Sequence, residues 1–173
     1  MKYIWIIVIG ILFFIGELSF NSEVIIIPSI VFYSFYLTVL FGRSIAIIPV
    51  FILAFLLDTI YLRSGYPDII FGICISIPLS RYWFKHGDCA DYISQIVPIS
   101  ILTFTYIFIL FLFDFLFYGS GSAFTFFYII FLSTFISAVI TPFLILLVDN
   151  ISKSLDLPLF IKSQIKGEKR NAD

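Results

Sequence analysis

Charged residues are scarce in this chain. Lysine, arginine, aspartate and glutamate make up 12% of 173 residues, where a soluble domain carries about 25%. Hydrophobic residues make up 61%, and the mean hydropathy is +1.13. A single soluble domain of this size could not bury so much apolar surface, because small domains leave much of their surface exposed. Histidine occurs once, as His86, which removes the usual base of a nucleophile–base–acid arrangement. Cysteine occurs twice: Cys74 falls in an apolar run and Cys89 in a short polar loop. That is neither a disulfide framework nor a metal-ligand spacing. The loop His86-Gly87-Asp88-Cys89-Ala90-Asp91 has metal-binding residue types without the two-plus-two pattern of zinc sites, and reads as a solvated turn. No basic stripe exists for nucleic acid, and no P-loop or G-x-G-x-x-G for a nucleotide. No enzyme activity and no cofactor are expected.

Long apolar runs are plentiful. A bilayer core of about 30 Å takes about 20 apolar residues in helix. The runs are continuous and do not alternate, which excludes a membrane β-barrel. The fold class expected is an all-α polytopic membrane protein with six transmembrane helices. The spans are 4–20, 24–42, 44–62, 69–84, 93–118 and 123–148, making a membrane domain over 1–149. A polar, lysine-rich tail over 150–173 follows, with Leu157-Pro158-Leu159-Phe160-Ile161 resting on the membrane surface. The first span lacks a small-x-small cleavage site and is read as a retained helix.

The lysines and arginines give an orientation. With the N-terminus in the cytoplasm, Lys2, Arg43, Arg81, Lys85, Lys153, Lys162, Lys166, Lys169 and Arg170 lie inside, and only Arg63 outside. Positive charge concentrates on the cytoplasmic side of membrane proteins. Both termini are therefore expected to be cytoplasmic, and the short fourth span to be real.

Ionisable groups within membrane spans mark candidate sites. Glu17, Asp58 and Asp114 fall toward the outer ends of the first, third and fifth spans, with Glu23 and Asp68 in outer loops. They could form an acidic patch for a basic partner, or a cation or proton site. Alternatively, acids near helix ends simply reach the interface. For Asp58 the expectation is structural: Arg63 folds back toward it, and Asp58 holds the turn from Arg63 to Asp68 in shape. Gly72, Ser76 and Ser80 recur every four residues in the fourth span, as do Ser133, Ser137 and Thr141 in the sixth. Such faces let helices approach closely in lipid. Pro28, Pro49, Pro78, Pro98 and Pro142 fall in or near five spans, where they kink helices or free carbonyls for a ligand.

The chain resembles the MreD family of bacterial rod shape-determining proteins. The resemblance rests first on Pro28 followed by an apolar run with Tyr33 and Tyr36. It continues in the helix ending Ala54-Phe55-Leu56-Leu57-Asp58, the turn Ser64-Gly65-Tyr66-Pro67, and Ile69-Ile70-Phe71-Gly72. Near the C-terminus, Ser137-Ala138-Val139-Ile140-Thr141-Pro142-Phe143 and the later lysines complete it. Ala54 stands where the family usually has Gly, and Asp68-Ile69 replaces its usual Leu-Gly pair. The resemblance implies a non-enzymatic scaffold of the cell-elongation machinery in the bacterial cytoplasmic membrane, supporting peptidoglycan synthesis. Its implied partner is a bitopic protein of the MreC kind, with other elongation-complex proteins beyond it. The residues implied to shape the structure or meet a partner are Pro28, Asp58, Arg63, Gly65, Pro67, Gly72, Ser76, Ser80 and Pro142. The family's fold is similar to that of the six-helix substrate-binding subunits of energy-coupling-factor transporters. A small-molecule-binding subunit of that type is the rival reading. An intramembrane enzyme acting on lipid is a third, and lacks paired acid–base residues.

Overall fold

The computed structural model describes residues 2–20, 25–86, 93–119, 123–157 and 159–160. Of these 89% are helical, and no strand occurs among them. Six helical rods follow one another: α1 (Lys2–Phe20), α2 (Ser29–Phe41), α3 (Arg43–Ile60), α4 (67–86), α5 (Ile96–Tyr118) and α6 (Ala123–Ser154). Helices α1, α3, α5 and α6 are long and apolar enough to cross a membrane by length and composition.

Helix α2 sits at the centre, with every residue from Ser29 to Val39 buried. A helix apolar on all sides belongs inside a bundle. Its 13 residues are fewer than the expected span of 24–42, because residues 25–28 are extended and the helix starts only after Pro28. Non-helical backbone within an apolar bundle needs partners for its polar groups. Here the Ile26 N–H donates to Ser133 Oγ at 3.0 Å. The small-residue face of α6 is thus partly a hydrogen-bonding face, and Ser133, Ser137 and Thr141 are all fully buried.

Helix α4 begins and ends two residues beyond the expected 69–84 and is not uniform. Pro67–Ile69 is α-helical, Ile70–Ser76 is a π-helix, and Ile77–His86 is α-helical again. The Ile77 N–H reaches back to Gly72 O, five residues earlier. Pro78 follows at once and has no N–H to continue the ordinary ladder, so the register slips where the proline would otherwise clash. A 3₁₀ turn, Ile93–Gln95, leads into α5.

Helix α6 extends past the expected end at Val148 to Ser154, so residues 150–154 continue the helix and do not begin a tail. Phe160 was expected at the membrane surface, yet it is fully buried. Its ring stacks on Tyr36 at 6.0 Å between centroids, and its N–H donates to Asp149 Oδ1 at 2.9 Å. Large apolar side chains cover the outer faces of α1, α3, α5 and α6, including Ile7, Ile11, Phe51, Phe55, Phe104 and Phe131. Water would make this surface costly at roughly 25 cal/mol per Å², whereas hydrocarbon does not. Of the loop from His86 to Asp91, read as a solvated turn, all but His86 lies outside the described residues, as do Glu23 and the lysines beyond residue 160.

Candidate functional site

Asp58 lies one turn before the end of α3 and is buried. Its carboxylate accepts the N–H of Asp68 through Oδ1 and that of Ile69 through Oδ2, both at 3.1 Å. These are first-turn amides of α4, which have no partner within their own helix. Tyr66, the residue at the capping position, supplies no side-chain bond. Asp58 therefore caps α4 from a neighbouring helix, and the positive end of the helix dipole favours its charge. Its own carbonyl accepts the Arg63 N–H at 2.9 Å. The expectation that Asp58 holds this turn in shape fits that geometry, but through main-chain amides.

The expected Arg63–Asp58 pairing is corrected. Arg63 Nη1 lies 2.5 Å from Asp68 Oδ2 and donates to the Tyr106 hydroxyl at 3.0 Å. The intervening turn explains the change of partner. Leu62, Gly65 and Tyr66 all have positive φ (51°, 82° and 53°), which curls the chain so that Arg63 points at the start of α4. The guanidinium also lies over the Tyr61 ring, 4.5 Å from its centroid. Burial works against the Arg63 charge, but Tyr106 and Asp68 outweigh it and hold the group above its ordinary range.

Gly65 is needed here on two counts. Its φ of 82° suits glycine, and an added Cβ would meet Phe113 at 2.7 Å and Phe117 at 2.8 Å. Pro67 is the first helical residue of α4, where a missing N–H costs nothing. The Ser64 hydroxyl lies 3.0 Å from that of Tyr118, tying the turn to the end of α5.

Glu17, left open between a site residue and an interfacial acid, is fully buried. Its Oε2 accepts the N–H of Ser29, the first residue of α2, at 3.0 Å. The Ser29 hydroxyl in turn donates to Phe13 O at 2.7 Å. Glu17 interacts electrostatically with Asp68 and Arg63, and Tyr106 with Glu17. One end of the bundle thus gathers Glu17 from α1, Asp58 from α3, Arg63 from the turn, Asp68 from α4 and Tyr106 from α5. Two carboxylate oxygens in this cluster, Glu17 Oε1 and Asp68 Oδ1, have no hydrogen-bond partner among the described residues. Asp114 lies at the same end of α5, exposed.

The other sequence-derived residues fall outside this cluster. Gly72, Ser76 and Ser80 are all buried on α4. Ser76 Oγ lies 2.5 Å from Ser34 Oγ of α2, and a Cβ at Gly72 would stand 3.0 Å from Val50 of α3. Pro28 precedes α2, and its carbonyl accepts the Val31 N–H. Pro142 is inside α6, a helix that contributes nothing to the cluster. Tyr106 and Ser29 were not singled out from sequence. The signal for Tyr106 was available, since its hydroxyl shares a helix face with Ile99, Leu102, Thr103 and Leu110.

Among the described residues no three His, Cys, Asp or Glu side chains stand where they could hold a metal ion together. The arrangement is suited to bracing helix ends and to holding a proton, and has no exposed nucleophile. No family model, curated protein or solved structure matches the chain.

Proposed function

We propose that the chain is a six-span, non-enzymatic membrane scaffold of the MreD kind, with the Asp58–Asp68 turn facing outward as a rigid contact platform. The observation that carries this reading is the capping of α4 by Asp58. It fixes a short turn whose outward residues, Leu62, Ser64 and Tyr66, are exposed. A preformed turn loses little conformational freedom when a partner docks. The partner class is a bitopic membrane protein of the cell-elongation machinery in the bacterial cytoplasmic membrane. Six spans with both termini inside follow from the basic-residue asymmetry.

A small-molecule-binding subunit is the second reading, and the gathered polar groups favour it, since such pockets need convergent donors and acceptors. Against it, Arg63, Asp58 and Asp68 are spent largely on each other and on main-chain amides. The cavity bordered by Phe13, Phe32, Phe35, Ile99 and Leu144 is apolar.

Asp58→Asn separates the two. An amide can accept only one of the two α4 amides, so the turn loosens at about 1–3 kcal/mol while the chain still inserts. Recovery of a bitopic partner by co-purification, at matched membrane levels, is expected to fall, and rod shape to be perturbed. Equal recovery with normal cell shape would overturn the role given to Asp58. Loss of small-ligand binding with intact assembly would favour the transporter reading.

A further inference from the structure

The buried cluster holds more negative charge than the described residues around it balance. Asp58 is offset by two amides at the start of α4, and Asp68 by the Arg63 guanidinium. Glu17 is left with one amide, from Ser29, and with Oε1 unpartnered, although it is fully buried. An isolated carboxylate in such surroundings is costly, and neutralisation is the ordinary way out. Asp68 Oδ1 is the second unpartnered oxygen, and Asp68 is also fully buried. We propose that Glu17 is a proton-binding site, taking one proton from water at the Arg63 end of the bundle.

In chemical terms, a hydronium ion transfers one proton to the Glu17 carboxylate, leaving water and a neutral acid. Oε2 keeps its bond from the Ser29 N–H, and the proton sits on Oε1, which has no partner among the described residues. The groups around Glu17 are Ser29 on α2, Arg63 in the turn, Asp68 on α4 and Tyr106 on α5, with Asp58 on α3 next to Asp68. Arg63 is the way in for water, since its side chain keeps 17% of its surface exposed while Asp68 keeps none. A metal ion does not serve instead, because the described carboxylates do not converge as ligands. The site at this end empties when the proton is withdrawn. The proposal does not rest on the scaffold reading and holds equally for a ligand-binding subunit.

The test is infrared spectroscopy of the full chain in lipid nanodiscs, with ¹³C-labelled glutamate. The chain has three glutamates, Glu17, Glu23 and Glu168. At neutral pH the labelled wild type is expected to show a protonated-carboxyl C=O band, and Glu17→Gln to lose it. Absence of that band in folded wild type, or its persistence in Glu17→Gln, overturns the proposal. Melting supplies an independent measurement. Gln mimics the protonated acid, neutral and still accepting the Ser29 N–H, so Glu17→Gln should melt near wild type and Glu17→Ala well below it. If Gln lowers the melting temperature as much as Ala, the site holds a carboxylate charge and the proposal fails.

Discussion

Three carboxylates in this chain do the same thing in different places. Glu17 accepts the N–H of Ser29, Asp58 those of Asp68 and Ile69, and Asp149 that of Phe160. In each case an acid near the end of one helix takes a main-chain N–H ten to twelve residues further on. Where water is excluded, unpaired amides at a chain reversal are expensive, and a carboxylate meets them with stronger bonds than a neutral cap. Sequence reading placed Asp58 at its turn but paired it with Arg63, because it weighed charged side chains and not main-chain donors, which no residue letter marks. It left Glu17 open between a site and an interface for the same reason. Gly65 tests how tightly the turn is built. Gly65→Ala should destabilise the protein by roughly 1–3 kcal/mol, combining a left-handed backbone with a Cβ pressed on Phe113 and Phe117. Thermal melting in detergent measures this. Phe113→Ala in the Gly65→Ala background should recover part of the loss relative to the two single changes added together. Strict additivity would mean that the ring is not the obstacle.

Among the helices, the legible features are those with periodicity in the letters. Four-residue spacing of Gly72, Ser76 and Ser80 predicts a packing face, and all three are buried against the bundle interior. The π-helical stretch Ile70–Ser76 has no such signature; it depends on how the chain passes Pro78 after Asp58 has fixed the amides of Asp68 and Ile69. The shortness of α2 is also hidden, since residues 24–28 are as apolar in sequence as the helix that follows, and no letter marks that the Ile26 N–H finds the Ser133 hydroxyl as its acceptor. Ser76 is where α2 and α4 come closest among these residues, with its hydroxyl 2.5 Å from that of Ser34. Ser76→Leu should force the two helices apart and lower stability by about 1–3 kcal/mol, as overpacking does. Ser76→Ala keeps the volume small and should cost less, leaving the Ser34 hydroxyl its bond to Ile30 O. Unchanged melting and partner recovery in Ser76→Leu would mean that the face is not a packing face.

At the scale of the whole molecule, hydrogen bonds tie the helices into an alternating arrangement. Glu17 near the end of α1 meets the start of α2, Asp58 near the end of α3 meets the start of α4, and Tyr118 at the end of α5 meets Ser64 in the same turn region. The opposite ends carry Lys2, Arg43, Lys85 and Lys153, with Arg81 one turn short of the end of α4. Arg63 alone among the cations named here joins the acids. A positive-inside orientation would place the Arg63 end outside. Helix α4 is the element that decides it. At 20 residues it is about 30 Å long, which matches the hydrocarbon thickness, but its far end bears Arg81, Lys85 and His86. Those long side chains can reach the interface from the last turns. Reporter fusions at Arg43, Lys85 and Asp173 should therefore read cytoplasmic, and fusions at Gly65 and Gly121 external. The Lys85 fusion carries the most weight. If it reads external, α4 does not cross, Arg81 and Lys85 join Arg63 outside, and every later helix must reverse or the basic tail must leave the cytoplasm. Six crossings would then be wrong, and with them the outward placement of the Asp58 turn on which partner docking depends.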